Sequence, residues 1–96
     1  MAAYLIVRVN VKDMDQYSEY MKLTPPILEK YGGKFVVRGG EKVVLEGPEI
    51  TDRMVVVKFD SIDDAKKMYH SEEYQAAIKV RENAADASFV VMEGLE

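Results

Sequence analysis

Cysteine is missing from this 96-residue chain, and histidine occurs once, at His70. The lack of cysteine excludes disulfide bonds, thiolate metal sites, iron–sulfur ligation and a cysteine nucleophile. A metal site built from protein ligands needs several imidazoles or thiolates, and one histidine does not provide them. We therefore predict no metal site and no required cofactor, and we expect stability to come from packing.

Positive charge is in the minority, with 13 lysines and arginines against 17 aspartates and glutamates and a formal net charge of −4. Binding along a nucleic acid depends on excess positive charge that neutralises phosphates, so we expect no nucleic-acid partner. The longest apolar run, Met1–Val7, is far shorter than the roughly 18 residues of a membrane-spanning helix, and no basic segment precedes it. We expect no membrane partner and a cytoplasmic location.

The sequence also lacks the glycine-rich phosphate loops and the aspartate-rich calcium loop that indicate nucleotide or calcium binding. Hydrophobic residues make up 48% of the chain and charged residues 31%, which is the balance of a globular protein and not of a disordered one. No linker or low-complexity tract divides the chain. We predict one domain over residues 1–96.

Hydrophobic periodicity and capping residues divide the chain into four strands and two helical regions. The first helix is predicted to follow the cap Asp13 and to end at Gly32-Gly33. The second helical region is predicted in two pieces that start at Ser61 and Ser71. The predicted strands are Tyr4–Val11, Lys34–Arg38 with an extension through Val43–Leu45, Arg53–Asp60 and Ser88–Leu95.

Two dipeptides interrupt these patterns. Pro25-Pro26 removes two backbone donors inside the first helix, which predicts a kink or a restart with Thr24 as a second cap. Gly39-Gly40 predicts a bulge or bend after the second strand, where the chain can open a cleft beside Arg38. Before that bend, alternation assigns Phe35 and Val37 to one face of the strand and Val36 to the other.

The element order β-α-β-β-α-β is that of the split βαβ arrangement, an antiparallel sheet ordered 4-1-3-2 with both helices on one face. Both sides of the strands are apolar, with Leu5 and Val7 on one side of the first strand and Tyr4 and Ile6 on the other. A sheet face that remains in water is usually polar, so we expect the second face to pack on a second copy in a two-fold homodimer. The alternative is a monomer with scattered exposed valines.

Several spaced motifs together resemble the family called domain of unknown function 1330. They are Gly32–Gly40, Leu45–Gly47, Val55–Ser61, Ala65, Tyr69, Ser71–Gln75 and Arg81, and they cover nearly the whole chain. The resemblance implies an α+β, ferredoxin-like subunit of the dimeric α/β barrel superfamily, whose subunits pack sheet to sheet. Members of that superfamily include cofactor-free monooxygenases, lactone isomerases, haem-degrading enzymes and ligand-sensing modules, and fold alone does not choose among them. The Pro25-Pro26 pair departs from the family pattern.

Four arginines are predicted to lie at one end of the sheet, because neighbouring strands run antiparallel and the second helical region ends there too. They are Arg8, Arg38, Arg53 and Arg81. Planar guanidinium groups suit carboxylates and phosphates, which favours a pocket for a small anionic or aromatic molecule. The alternative is ion pairing within the protein, and the carboxylates expected nearby are Asp13, Asp15, Glu46 and Asp86.

The predicted ligand-binding residues are Arg8, Arg38, Tyr17, Ser71, Tyr74 and Arg81. If the protein is an enzyme, Arg38 and Arg81 are expected to orient the substrate and stabilise negative charge, with Glu46 or His70 as the proton acceptor. A helix cap explains Ser71 equally well, and a solvated turn explains His70. The second functional hypothesis is a non-catalytic dimeric interaction or stress-related module whose arginines lock the subunit contact.

Overall fold

Helices cover one side of a four-stranded sheet in the computed structural model, which describes residues 1–95. The strands are β1 (Ala3–Val11), β2 (Lys34–Arg38), β3 (Arg53–Phe59) and β4 (Ala85–Glu93), and the helices are α1 (Met14–Lys30), α2 (Ile62–Tyr69) and α3 (Glu72–Arg81). The two predicted pieces of the second helical region are therefore present as α2 and α3. None of the helices within residues 1–95 has the length and apolar character needed to cross a membrane.

The strands run antiparallel in the order β2-β3-β1-β4, which confirms the predicted ferredoxin-like order 4-1-3-2. β1 lies at the centre, where Val7 pairs with Val55 of β3 on one side and with Phe89 of β4 on the other. Pairing with the end of β1 extends β4 backwards, so that β4 begins at Ala85 and not at the predicted Ser88. The sheet therefore brings the C-terminal end of β1 beside the N-terminal ends of β3 and β4.

The core lies between the sheet and the helices. β1 contributes the buried side chains of Leu5, Val7 and Val9 to it, and the helices contribute Met68 and Tyr74. Burial of each such apolar side chain stabilises the folded state by roughly 1.5–3 kcal/mol. This layer is the main source of stability in a chain without disulfide bonds.

The opposite side of the sheet, which we call the open face, is not covered by any helix of residues 1–95. Val37, Val90 and Met92 are 43%, 52% and 55% exposed, respectively, on this side. Ile6 and Val56 pair directly at its centre and are only partly buried. The apolar second face expected from the strand pattern is therefore present, and within a single chain it faces solvent.

Local signals set both ends of α1 as predicted. At its start, Asp13 accepts a hydrogen bond from the backbone N–H of Gln16 at 3.2 Å. The Gln16 side-chain amide donates to the backbone carbonyls of Val80 and Glu82, both at 2.9 Å, which ties the start of α1 to the end of α3. At the other end, Gly32 takes a φ of 83°, a conformation that glycine adopts at little cost, and the helix stops.

α1 passes through Pro25-Pro26 as one helix, so the predicted restart with Thr24 as a second cap is wrong. The Thr24 hydroxyl instead donates to the backbone carbonyl of Met21 at 3.4 Å. The prolines remove two helical hydrogen bonds, but Tyr20 before them and Leu28 after them are buried in the core. Packing on both sides of the proline pair therefore outweighs its local preference to break the helix.

The predicted bulge or bend at Gly39-Gly40 is present as a bend at Gly39. β2 has in addition a bulge between Phe35 and Val37, which the sequence did not indicate. Val37 consequently pairs with Val56 on the open face, so its predicted assignment to the same side as Phe35 is wrong. The extra residue also reverses the direction of the next side chain, which places Arg38 on the helix-covered side of the sheet.

The predicted extension of β2 through Val43–Leu45 does not form. β2 ends at Arg38, where Gly39 turns the chain with a φ of 67°. Val43 and Leu45 are 72% and 93% exposed in the irregular segment that leads to β3. Their β-forming side chains are not enough to make a strand, because no neighbouring strand of residues 1–95 pairs with this segment.

Candidate functional site

A cavity of about 40 Å³ lies between α1 and the helix-covered side of the sheet, and we call it the central cavity. The lining side chains that determine its chemistry are Tyr17, Tyr20, Arg38, Arg53, Tyr74 and Phe89. Aliphatic side chains of the core complete its wall. The central cavity therefore combines an aromatic and aliphatic surface with guanidinium groups, a composition typical of small-molecule sites.

Two arginines reach the central cavity from the sheet. Arg53 pairs with Val9, and Arg38 pairs with Val55, and both valines belong to the buried, helix-covered side. Paired residues project to the same side of a sheet, so both arginine side chains start on that side. The bulge in β2 is what gives Arg38 this direction.

A third arginine, Arg81, comes from the last turn of α3 and is only 9% exposed. Its guanidinium carbon lies 5.2 Å from the ring centroid of Tyr20 and 5.4 Å from that of Phe89, within the range of cation–π attraction. Burial lowers the pKa of Arg81, but the phenolic groups of Tyr20 and Tyr74 raise it by more, so the pKa lies above its usual value. Arg81 therefore stays charged, with its guanidinium packed against the rings of Tyr20 and Phe89. We call Arg38, Arg53 and Arg81 the inner arginines.

The inner arginines have no carboxylate partner among residues 1–95. The Nε atoms of Arg53 and Arg81 are buried and have no hydrogen-bond partner in this part of the chain. Asp86, one of the expected partners, pairs with Lys12 at 3.0 Å instead. Internal ion pairing therefore does not account for these three arginines. Arg81 is buried, Arg53 is partly buried and Arg38 is exposed. Buried positive charge without a carboxylate partner is costly, and an anion that enters the site would reduce that cost for Arg81 and Arg53.

Tyrosines provide the hydroxyl groups of the site. The hydroxyl oxygens of Tyr20 and Tyr74 lie 2.5 Å apart in a buried hydrogen bond. Burial and the neighbouring Tyr20 raise the pKa of Tyr74 well above its usual range. Burial also raises the pKa of Tyr17, with a smaller contribution from Tyr20, although the inner arginines act in the opposite direction. The phenols of Tyr17 and Tyr74 therefore remain neutral at pH 7, and Arg38 and Arg53 give the site positive charge.

Gly39 makes room for a guanidinium, but it is that of Arg53 and not that of Arg38 as the sequence suggested. A Cβ atom added to Gly39 would lie 2.2 Å from Nη1 of Arg53. The backbone N–H of Gly39 donates to the carbonyl of Met54 at 2.9 Å, which holds the turn against β3. The glycine thus serves two purposes, a positive φ and a close approach to Arg53.

Three of the six predicted ligand-binding residues do not line the central cavity. Arg8 projects from the open face and pairs with Asp52 at 3.2 Å. Ser71 caps α3, because its Oγ accepts from the backbone N–H of Tyr74 at 3.1 Å and donates to the carbonyl of Met68 at 2.7 Å. The cap explanation therefore describes Ser71 in this structure. Of the others, Tyr17, Arg38 and Tyr74 line the cavity, and Arg81 lies outside it, against the rings of Tyr20 and Phe89.

The two predicted proton acceptors also lie away from the central cavity. Glu46 is exposed in the irregular segment between β2 and β3, and His70 is exposed at the end of α2. His70 lines a separate, open groove between α2 and β4, with Lys66 and Arg81 on its border. Within residues 1–95, no cluster of three or more histidine, aspartate or glutamate side chains is arranged to hold a metal ion.

Arg53 and Tyr20 line the cavity but were not among the predicted ligand-binding residues, although Arg53 was one of the four arginines expected at this end of the sheet. Strand alternation carries the signal for Arg53, because it has the same parity as Val55 and Val57, whose side chains are buried under the helices. Helical spacing carries the signal for Tyr20, which follows Tyr17 by three positions, and the two ring centroids lie 5.3 Å apart.

Comparison with known proteins identifies the family and the fold. The family model described as "Domain of unknown function (DUF1330)" matches residues 2–95. No curated protein matches the chain. A solved protein of unknown function from Rhodopseudomonas palustris is 22% identical with a TM-score of 0.78, and the match covers 99% of this chain and 83% of that one.

Two other solved structures show the same fold. The cofactor-independent oxygenase SnoaB from Streptomyces nogalater is 8% identical with a TM-score of 0.70, over 99% of this chain and 94% of that one. A dimeric ferredoxin-like protein of unknown function from Thermobifida fusca is 18% identical with a TM-score of 0.59, over 98% of this chain and 92% of that one. At these identities the likeness concerns the fold.

Proposed function

We propose that this chain, which belongs to the DUF1330 family, binds a small aromatic anion in its central cavity. The observation that carries the proposal is that two arginines, Arg38 and Arg53, line an aromatic cavity without a carboxylate partner among residues 1–95. A third, Arg81, packs against the rings of Tyr20 and Phe89 in its wall and also has no carboxylate partner in this part of the chain. A ligand carboxylate would accept hydrogen bonds from Arg38 and Arg53. Its ring would pack against Tyr17, Tyr20 and Phe89. Arg81 would add positive charge from behind Tyr20.

Benzoate and its uncharged isostere benzamide test this proposal in a thermal-shift assay, followed by calorimetric titration. We expect benzoate to raise the melting temperature in proportion to its concentration and benzamide to have no effect, because only the carboxylate pairs with guanidinium groups. Arg53→Met should abolish the benzoate response. Arg8→Met is the matched control, since Arg8 projects from the open face, and it should keep the response. Equal responses to benzoate and benzamide, or a response that Arg53→Met leaves intact, would contradict the proposal.

We further propose that two copies pack through their open faces as a homodimer. Apolar strand residues on this face are about half exposed in the single chain, and a contiguous exposed apolar surface marks an interaction site. The Thermobifida fusca protein of the same fold is described as dimeric. A two-fold contact between sheets would remove this surface from water.

Sedimentation velocity at micromolar concentration tests the dimer. We expect the mass of two chains for the wild type and the mass of one chain for Val90→Lys, which places a charge in the apolar open face. Val43→Lys is the control, because Val43 is also exposed, at 72% against 52% for Val90, but lies in the irregular segment. A stable, folded wild type with the mass of one chain would refute the dimer.

The second hypothesis, an interaction module whose arginines lock the subunit contact, receives less support. Of the four arginines, only Arg8 projects from the open face, and it already pairs with Asp52. We propose binding and no reaction, because neither Glu46 nor His70 lines the central cavity with Arg38 and Arg53.

A further inference from the structure

We propose that Arg38 and the backbone carbonyl of Met21 form a latch that holds the central cavity narrow, and that Pro25 creates the acceptor of this latch. The inference rests on the proposed function and adds to it the groups that position Arg38 before a ligand arrives. Arg38 belongs to the edge strand β2, and Met21 belongs to α1 on the other side of the cavity. The Nη2 atom of Arg38 donates to the Met21 carbonyl at 3.3 Å and so bridges the gap between helix and sheet.

Pro25 leaves the Met21 carbonyl without its usual partner. In a regular helix the backbone N–H of residue 25 donates to the carbonyl of residue 21, and proline has no N–H. Two side chains use the free acceptor, since Arg38 donates at 3.3 Å and the Thr24 hydroxyl at 3.4 Å. A carbonyl oxygen has two lone pairs, so both are occupied. A backbone N–H at position 25 would compete for them.

Pro26 provides an internal comparison. It removes the partner of the Lys22 carbonyl in the same way, but within residues 1–95 no side chain donates to that carbonyl. Pro25 is therefore the member of the pair that matters for the latch. The bulge in β2 supplies the other requirement, because it directs Arg38 to the helix-covered side. Phe35 supports the guanidinium, whose carbon lies 4.5 Å from its ring centroid.

The size of the cavity indicates that the latch must open for a ligand to enter. The central cavity is partly open to solvent and measures about 40 Å³, enough for a few water molecules, whereas a cavity that binds benzene measures about 150 Å³. α1 must therefore move away from the sheet to admit an aromatic ring. A carboxylate is a stronger acceptor for a guanidinium than a neutral carbonyl. An entering aromatic anion would thus take Arg38 from Met21 and release α1 in the same step.

Benzoate binding to Pro25→Ala and Pro26→Ala tests the latch. Each variant replaces one proline of the helix with alanine and restores one backbone N–H, but only Pro25→Ala introduces a donor for the Met21 carbonyl. We expect Pro25→Ala to bind benzoate about fivefold more tightly than the wild type, because weakening a hydrogen bond of ordinary strength enlarges the open population by about that factor. Pro26→Ala should bind like the wild type. Equal affinities for all three proteins, or equal gains in both variants, would overturn the latch.

A second measurement needs no ligand. Labelling methionine carbonyls with ¹³C reports the hydrogen bonding of Met21 through its chemical shift. We expect Arg38→Met to move the Met21 signal in the wild-type background and to move it much less in Pro25→Ala. If Arg38→Met leaves the chemical shift of the Met21 carbonyl unchanged in the wild-type background, the latch is overturned even if benzoate binds. A signal that responds to Arg38→Met while benzoate fails to bind any variant would support the latch and contradict the proposed ligand class.

Discussion

Three glycines in different surroundings allow the role of Arg53 in the site to be separated from backbone strain. Gly39 has a φ of 67° and faces the Arg53 guanidinium, with only 2.2 Å from an added Cβ to Nη1. Gly32 has a φ of 83° with nothing within 4 Å of an added Cβ. Gly40 has open space around it and no positive φ. Gly39→Ala therefore tests backbone strain together with displacement of Arg53. Gly32→Ala tests backbone strain alone, and Gly40→Ala is a control for neither effect.

The expected loss of stability follows from the backbone. A non-glycine residue at a left-handed φ costs roughly 1–2 kcal/mol, so Gly39→Ala and Gly32→Ala should each lower the free energy of unfolding by about that amount. For a domain of this size each kcal/mol corresponds to about 4–8 °C in melting temperature. Gly40→Ala should change the free energy of unfolding by less than about 0.5 kcal/mol. Urea unfolding followed by circular dichroism measures these differences.

The benzoate response distinguishes Gly39 from Gly32. The added methyl group of Gly39→Ala meets the end of a flexible side chain, so Arg53 should move aside and leave the cavity. Gly39→Ala should therefore lose the rise in melting temperature with benzoate, as Arg53→Met does, while Gly32→Ala should keep it despite an equal loss of stability. The reasoning is refuted if Gly39→Ala keeps the full response, or if Gly32→Ala loses it.

Three further outcomes follow from the same structure. Ser71→Ala should lower the free energy of unfolding by about 1 kcal/mol in urea titrations, through loss of the α3 cap, and leave benzoate affinity unchanged, whereas a loss of affinity would return Ser71 to the binding site. The raised pKa values of Tyr17 and Tyr74 mean that the folded state holds these protons more tightly, so their contribution to stability is fully present below about pH 10 and is lost as the pH rises further. Urea unfolding at a series of alkaline pH values should show this decline, and Tyr74→Phe should make it shallower; an unchanged slope would argue against the buried phenol as its source. Val90→Lys should shift the sedimentation coefficient to that of one chain while the circular dichroism spectrum stays the same, and a dimer that survives this substitution would place the contact elsewhere.

Much of the fold was predictable because its signals are local. Asp13 and Ser71 cap helices through hydrogen bonds to residues three positions away, and a cap depends on little else. Strand alternation identified the core positions of β1, and the handedness of crossovers determined the strand order. The ends of β4 were less accurate, because pairing with the end of β1 extends it back to Ala85.

The errors share a cause, which is competition between a local preference and a distant contact. Pro25-Pro26 has a strong local tendency to end a helix, yet Tyr20 and Leu28 pack into the core on both sides of it. Val43–Leu45 has a strong tendency to form a strand, yet no strand of residues 1–95 pairs with it. In both places the outcome depends on which surfaces meet, and a local pattern does not contain that information.

The sequence by itself determined the elements, their order in the sheet and the gathering of arginines toward one end of it. Only the tertiary structure decided which arginines enter the cavity. A bulge of one residue in β2 turns Arg38 from the open face to the covered face, because successive strand side chains alternate between faces. Whether a buried guanidinium meets a carboxylate depends on distances between residues far apart in the chain. For Arg53 and Arg81 those distances leave the guanidinium groups without a carboxylate partner in the described chain, and the proposed binding site follows from that.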